Sequence, residues 1–147
     1  MKLKKFLLVL FLCVIISSAV SYIFFSYQYR QLSKYEIDMY LEVTDKDKAF
    51  GINIDTDALY FGYLPYGGGA TRRINITNHY DRPVSVYILK DDSMLADLIY
   101  IQEDNFFLEA KENRLVPIKV SVPKSFYSGN FSGTLTVDIR NVPFYTR

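Results

Sequence analysis

From Tyr35 onward the dominant hydrophobic period of this chain is two. Tyr35, Ile37, Met39, Leu41 and Val43 alternate with Glu36, Asp38, Tyr40 and Glu42. Successive side chains of an extended strand point to opposite faces, so this pattern predicts a half-buried strand. Phe131, Gly133, Leu135, Val137 and Ile139 alternate with Ser132, Thr134, Thr136 and Asp138 in the same way near the other end. Shorter apolar or alternating runs predict strands at 50–54, 59–64, 73–77, 84–89, 98–102, 106–108 and 115–122, separated by turn-forming clusters. Ser93 to Asp97 reads as one helical turn crossing the edge of the structure. Pro117 cannot donate to a ladder, so its strand is expected at an edge or at a bulge. Seven or eight short strands from these nine runs, without long amphipathic helices between them, predict an all-β sandwich over residues 35–147. At about 110 residues such a domain buries roughly 65% of its unfolded surface, enough to fold without cross-links.

The first thirty residues follow a different rule. Lys2, Lys4 and Lys5 precede an uncharged run that lasts to Tyr29. Residues 6–25, wound as a helix at about 1.5 Å per residue, span roughly 30 Å, the thickness of a bilayer's hydrocarbon core. The lysines favour a cytoplasmic N-terminus, which leaves the sandwich outside. Residues 1–5 are thus read as a cytoplasmic basic tail, 6–25 as a transmembrane signal-anchor helix and 26–34 as a stalk. The competing reading is a cleaved signal peptide: Ser17-Ser18-Ala19 and Ala19-Val20-Ser21 both fit a small-x-small cleavage site. Hydrophobicity resumes at once with Tyr22-Ile23-Phe24-Phe25, longer than export needs, and these rings suit an outer interfacial belt. Cys13 follows Leu12 rather than a small residue, so it reads as an apolar side chain of the helix, not as a lipid attachment point.

Formal net charge is +1, with 17 basic and 16 acidic residues, so the basic excess of a nucleic-acid binder is missing. Half of the chain is hydrophobic, which excludes a disordered tail. The single cysteine lies in the apolar segment, so no intramolecular disulfide and no thiolate-rich metal site is expected.

Leu59-Tyr60-Phe61-Gly62, Leu64-Pro65-Tyr66-Gly67, Arg73-Ile74-Asn75-Ile76-Thr77-Asn78 and Arg82-Pro83-Val84 together resemble the immunoglobulin-like domains of the ASH/MSP/PapD-like group. Phe107-Leu108-Glu109-Ala110, residues 116–122 and the stretch from Tyr127 to Leu135 are similar to the closing hairpin of those domains. The resemblance covers about residues 49–140. It implies an Ig-like antiparallel β-sandwich that binds other proteins or serves as a spacer. PapD-like chaperones have two such domains, and this chain has room for one. The core tryptophan and cysteine pair of antibody domains are missing.

Nothing in the sequence assembles a nucleophile. His79, the one histidine, falls in a turn, and no Gly-x-Ser-x-Gly elbow is present. Gly67-Gly68-Gly69 lacks the following lysine and helix of a phosphate loop and reads as a hairpin loop. Asp55 and Asp57 are the best-spaced acids for a hard cation, but they continue into no calcium-loop pattern and read first as turn residues. Asn75 and Asn130 match the N-glycosylation acceptor pattern. Tyrosine is abundant, at 13 residues. Tyr60, Tyr63, Tyr66, Tyr80 and Tyr127 fall near turns, where a large amphipathic ring suits a binding surface. The expectation is a non-catalytic, membrane-anchored, extracytoplasmic protein-binding or structural module of the cell envelope. It needs no cofactor and meets the bilayer through residues 6–25, an envelope protein as partner, and no nucleic acid. The alternative is a cleaved, secreted domain that binds carbohydrate or depends on a metal.

Overall fold

The computed structural model describes residues 2–28, 30–44 and 58–142. The strand expected at 50–54, residues Asp55 and Asp57, and the tail 143–147 lie outside the described residues. The order of elements is α1 (Lys2–Gln28), β1 (Gln31–Val43), β2 (Ala58–Leu64), β3 (Gly69–Thr77), β4 (Val84–Lys90), α2 (Met94–Leu98), β5 (Ile99–Ile101), β6 (Asn105–Leu108), β7 (Asn113–Ser121) and β8 (Gly129–Asn141).

The strands form two sheets, one in the order β2-β1-β8-β4-β6 and the other in the order β3-β7-β5. This is an Ig-like β-sandwich preceded by an N-terminal apolar helix. Period two sets the layers. Met39, Leu41 and Val43 of β1 and Leu135, Val137 and Ile139 of β8 are buried against Ile74, Ile76, Val116, Ile118 and Val120 of the smaller sheet. Phe61, Leu64, Leu95 and Leu108 complete the core, each fully buried and each contributing about 2 kcal/mol relative to exposure.

The alternation predicts core positions for Tyr35 and Ile37 as well. Tyr35 stays exposed and Ile37 half-buried, so β1 enters the core only from Met39 onward.

One pairing departs from the antiparallel expectation: β1 runs parallel to β2, with Asp38 opposite Ala58 and Val43 opposite Leu64. A parallel neighbour needs a long crossover, and residues 44–57 between the two strands provide it. The register shifts between Tyr40 and Leu41, and Gly62 (φ 80°) on β2 takes the left-handed backbone next to it.

Two turns read from the sequence as hairpins join strands of different sheets. Residues 65–68 carry the chain from β2 to β3, and 122–128 carry it from β7 back to β8. Both are corners of the sandwich. The expected helical turn is α2, with Ser93 as N-cap accepting from the Ala96 N–H at 3.2 Å.

Pro117 stands on a strand at the centre of its sheet, not at the edge that its residue type suggests. The reason is local. β5 pairs with β7 only from Ile118 to Val120, so beyond Ile118 one flank of β7 is an edge.

At its N-terminal end the sandwich meets the apolar helix almost directly. Ser26 to Gln28 continue α1, and Gln31 to Lys34 already belong to β1, so two residues join the elements. Every described side chain from Lys4 to Tyr27 is exposed, and the helix is long and apolar enough to cross a membrane.

Candidate functional site

β1 and β8 fix two opposite poles. Gln31 pairs with Arg140 at the helix end of the sheet, and Val43 pairs with Gly129 at the other end. Thirteen strand residues at about 3.3 Å each separate the poles by roughly 40 Å.

The far pole is built from the corners 65–68 and 122–128. Gly68 N–H donates to the Pro65 carbonyl at 2.9 Å, and Gly67, at φ 74°, takes the left-handed backbone that this turn requires. Val122 N–H donates to the Gly68 carbonyl at 2.8 Å and holds the two corners together. In the second corner Phe126 N–H donates to the Pro123 carbonyl at 3.2 Å, which turns two successive aromatic residues over the end of the core.

Three rings meet there. Phe126 and Tyr127 stack with centroids 4.7 Å apart and an interplanar angle of 16°. Phe131, the partner of Leu41 on β1, lies 5.2 Å from Phe126 and 5.4 Å from Tyr127. Phe126 and Phe131 are half-buried and pack on the core, whereas Tyr127 is 52% exposed. Met94 of α2, 50% exposed, brings its sulfur to the Tyr127 hydroxyl. The arrangement offers a ring and a thioether held by packing, with the Tyr127 hydroxyl as a polar tip. Such a surface offers apolar and polar contact area to a binding partner.

Of the tyrosines singled out in the sequence, Tyr66 and Tyr127 share this pole. Tyr66 is half-buried against the core in the first corner. Tyr60 lies on the outer face of the five-stranded sheet, stacked on Tyr40 with centroids 5.0 Å apart. Tyr63 stands opposite Glu42 at the end of the parallel pair. Tyr80 is at the other pole, where its hydroxyl donates to the Leu32 carbonyl at 3.2 Å and its ring packs on the core. Phe126, Phe131 and Met94 were not singled out from the sequence. The local cluster of aromatic residues around Gly129 was the available signal.

His79 is exposed, and its carbonyl accepts from Lys111 Nζ at 2.8 Å. Arg72 Nε donates to the Tyr60 carbonyl at 2.7 Å, across the gap between the sheets. Asn75 and Asn130 are both exposed on outer sheet faces. Among the described residues no group of three or more His, Cys, Asp or Glu side chains is placed to hold a metal ion.

One acid of the outer sheet face is buried. Asp138 Oδ2 accepts from Arg140 Nε at 2.8 Å and from Nη2 at 2.6 Å, and these bonds push the guanidinium further toward its charged form. Its other oxygen, Oδ1, is buried and has no partner among the described residues.

No protein-family model matches the chain, and no curated protein matches it. Among solved structures it is similar to the DraE adhesin in complex with chloramphenicol succinate, at a TM-score of 0.41 and 15% identity, covering 76% of this chain and 97% of that one. The DraE adhesin in complex with bromamphenicol gives a TM-score of 0.42 and 16% identity, with coverage of 76% and 97%. The AfaE-3 adhesin from Escherichia coli gives 0.42 and 14%, with coverage of 76% and 96%. A likeness of this size transfers no ligand and no partner to this chain.

Proposed function

We propose that this chain is a membrane-tethered, extracytoplasmic Ig-like module that binds another envelope protein through its far pole and performs no catalysis. The observation that carries this reading is the junction between helix and sandwich. α1 ends at Gln28 and β1 begins at Gln31, so the sandwich can stand no more than about 11 Å from the helix end. With residues 6–25 in the bilayer and residues 1–5 in the cytoplasm, the helix-side pole rests at the outer membrane surface. The far pole then faces away from it, roughly 40 Å out.

Tyr66 and Tyr127 supply the contact area in this reading, and Met94, Phe126 and Phe131 set the orientation of the Tyr127 ring. The resemblance to ASH/MSP/PapD-like domains, which generally bind proteins or act as spacers, agrees with it. The bilayer and a protein of the same envelope are the partners, with no cofactor and no nucleic acid.

The test is photocrosslinking in native membranes, with a photoreactive residue at Tyr127 and a control at Glu36, which is exposed on the outer sheet face. One envelope protein captured repeatedly from Tyr127 and not from Glu36 is the expected result. Equal, diffuse labelling from both positions would leave a spacer without a partner-specific face.

A further inference from the structure

β7 has a half-edge whose hydrogen-bonding groups can be assigned from register alone. Val122 N–H donates to the Gly68 carbonyl and Asn78 N–H to the Glu112 carbonyl, both in register with the β3–β7 pairing. In an antiparallel ladder, bonded and non-bonded pairs alternate. The even-numbered residues of β7, Arg114, Val116, Ile118 and Val120, therefore bond to β3. Asn113, Leu115, Pro117 and Lys119 turn their main-chain groups to the opposite flank.

On that flank β5 supplies partners for Ile118, Lys119 and Val120 only. The next bonded pair would join Gln102 to Pro117, and proline has no N–H to give. The ladder stops there, and the chain leaves for the other sheet through Glu103 to form β6. What remains beside β7 is a pocket of about 210 Å³ lined by Gln102, Glu103, Arg114, Leu115, Val116 and Pro117. The main chains of Asn113 and Leu115 point into this flank, and Leu115 is 62% exposed.

Two other edges are closed by cations. Arg72 Nε takes the Tyr60 carbonyl at the edge of β2, and Lys90 Nζ takes the Ile99 carbonyl at the edge of β5 at 3.0 Å. At the half-edge of β7, Arg114 turns away from the main chain. It pairs with Glu103 and Glu112 at 3.4 Å each and lies 4.9 Å over the Phe106 ring.

We infer that this flank receives an extended peptide strand from another protein, antiparallel to β7 along the line that β5 abandons. Donors and acceptors spaced two residues apart, at Asn113 and Leu115, match an extended main chain and no compact ligand. Alternate side chains of the incoming strand point toward the pocket floor at Val116 and outward beside Leu115. Its C-terminal end falls next to Asn113, where two glutamates face one arginine, so a basic residue fits there. The inference stands whether or not the helix is retained, because it rests on the sandwich alone.

The test uses the full chain in detergent micelles, with amide hydrogen exchange read residue by residue. The probe is an acetylated, amidated heptapeptide of alternating valine and threonine ending in lysine. Without peptide, the Leu115 amide should exchange freely while Val116, bonded to Ile74, is protected. With a Kd of about 1 mM, the range for a few main-chain bonds, Leu115 exchange should slow about twofold at about 1 mM peptide and about tenfold near about 10 mM. The same peptide N-methylated on its pairing edge should leave it unchanged. Leu115→Pro deletes only the N–H aimed at the flank, so β3 pairing should persist and peptide protection elsewhere on the flank should vanish. The inference is overturned if Leu115 is protected without peptide at every protein concentration. It is equally overturned if protection rises with protein concentration alone, which would assign the flank to a second copy. No slowing at saturating peptide, or equal slowing by the N-methylated form, would also sink it. Should Leu115→Pro not fold, the N-methylated comparison decides.

Discussion

Asn78 donates its side-chain Nδ2 to the carbonyl of Glu109, 31 residues further along, at 2.8 Å. The same nitrogen reaches the Arg82 carbonyl at 2.8 Å, and Asn78 Oδ1 accepts the Tyr80 N–H at 2.9 Å. One fully buried side chain thus ties the turn after β3 to the turn after β6 at the helix-side pole. The Glu109 carbonyl also accepts the Glu112 N–H at 3.1 Å, so Asn78 adds a second bond there, and a buried amide that loses its partners is costly.

Asn78→Ala should therefore destabilise the sandwich by about 2–4 kcal/mol, read as a lower urea midpoint at unchanged slope. Asn78→Asp should come close to the same loss, since a carboxylate keeps the acceptor and has no donor for the two carbonyls. A loss below about 0.5 kcal/mol in both variants would show that water replaces these bonds.

Asp91 anchors the crossing of α2 over β8. Burial works to raise its carboxyl, but bonds from the Ser93 hydroxyl, the Thr134 N–H and the Ser93 N–H outweigh that effect and hold it below the usual carboxylate range. A folded-state value below the unfolded one means that the contribution is complete above the unfolded value, near pH 4. It is lost as pH falls through the lower folded value. Stability of the intact chain should decline across that acid window, and Asp91→Asn should flatten this part of the decline while lowering stability at neutral pH. Parallel acid limbs for the two proteins in urea titrations would remove Asp91 from the explanation.

Gly133 makes the same crossing possible for a steric reason. A Cβ at this position would collide with the Ser93 Oγ and come within 3.2 Å of Asp91 Oδ1 and of Met39 Cε. Gly133→Ala should cost about 1–3 kcal/mol, because Ser93 must give up its cap on Ala96 or its bond to Asp91. Ser93→Ala costs a cap by itself, about 1 kcal/mol. In the double variant the collision is gone, so the two losses should sum to less than their separate values. Strict additivity would place the strain elsewhere.

How much of this was legible in the sequence depends on what kind of information each feature carries. Period two gives the core positions of β1 from Met39 onward and of β8 at Leu135, Val137 and Ile139, because alternation is a property of a single strand. It did not give the partners. The parallel β1–β2 pair and the two inter-sheet corners depend on which strands meet, and no local pattern encodes that. The tyrosines show the same limit. Tyr66 and Tyr127 reach one pole only because the corners 65–68 and 122–128 are stitched together by Val122 and Gly68. Tyr80, equally near a turn, lies at the opposite end and spends its hydroxyl on Leu32. Pro117 predicts an edge or a bulge, and the structure gives it an edge on one flank only. The proline terminates one flank of a central strand.

The Asp138–Arg140 pair predicts an asymmetry between its two members. Asp138 is 4% exposed, and one of its oxygens has no partner among the described residues, whereas Arg140 is largely at the surface. Arg140→Met should leave a buried carboxylate without the guanidinium bonded to it and cost about 3–5 kcal/mol. Asp138→Asn keeps an acceptor for the guanidinium and removes the buried charge, so its cost should be smaller. The comparison is a pair of urea midpoints at neutral pH. The reverse order would mean that water or Lys34, the cross-strand neighbour on β1, neutralises the acid.

The length of α1 bears on whether the chain keeps its N-terminus. The helix continues without interruption through Ser17, Ser18, Ala19 and Ser21 to Gln28, and Ser18 Oγ donates back to the Val14 carbonyl at 2.9 Å. The small residues that fit a cleavage site thus lie inside a regular helix whose apolar surface extends through Phe24 and Phe25. An export signal needs an apolar core of only about 7–15 residues before its cleavage site, whereas a span needs about 20. The expected outcome is a membrane-fraction protein whose intact mass includes Met1 and which resists extraction at alkaline pH. A soluble protein beginning at Val20 or Tyr22 would end the anchor reading. The far-pole surface and the half-edge of β7 would then have to find their partners in solution, without the gain in effective concentration that tethering to a common membrane provides.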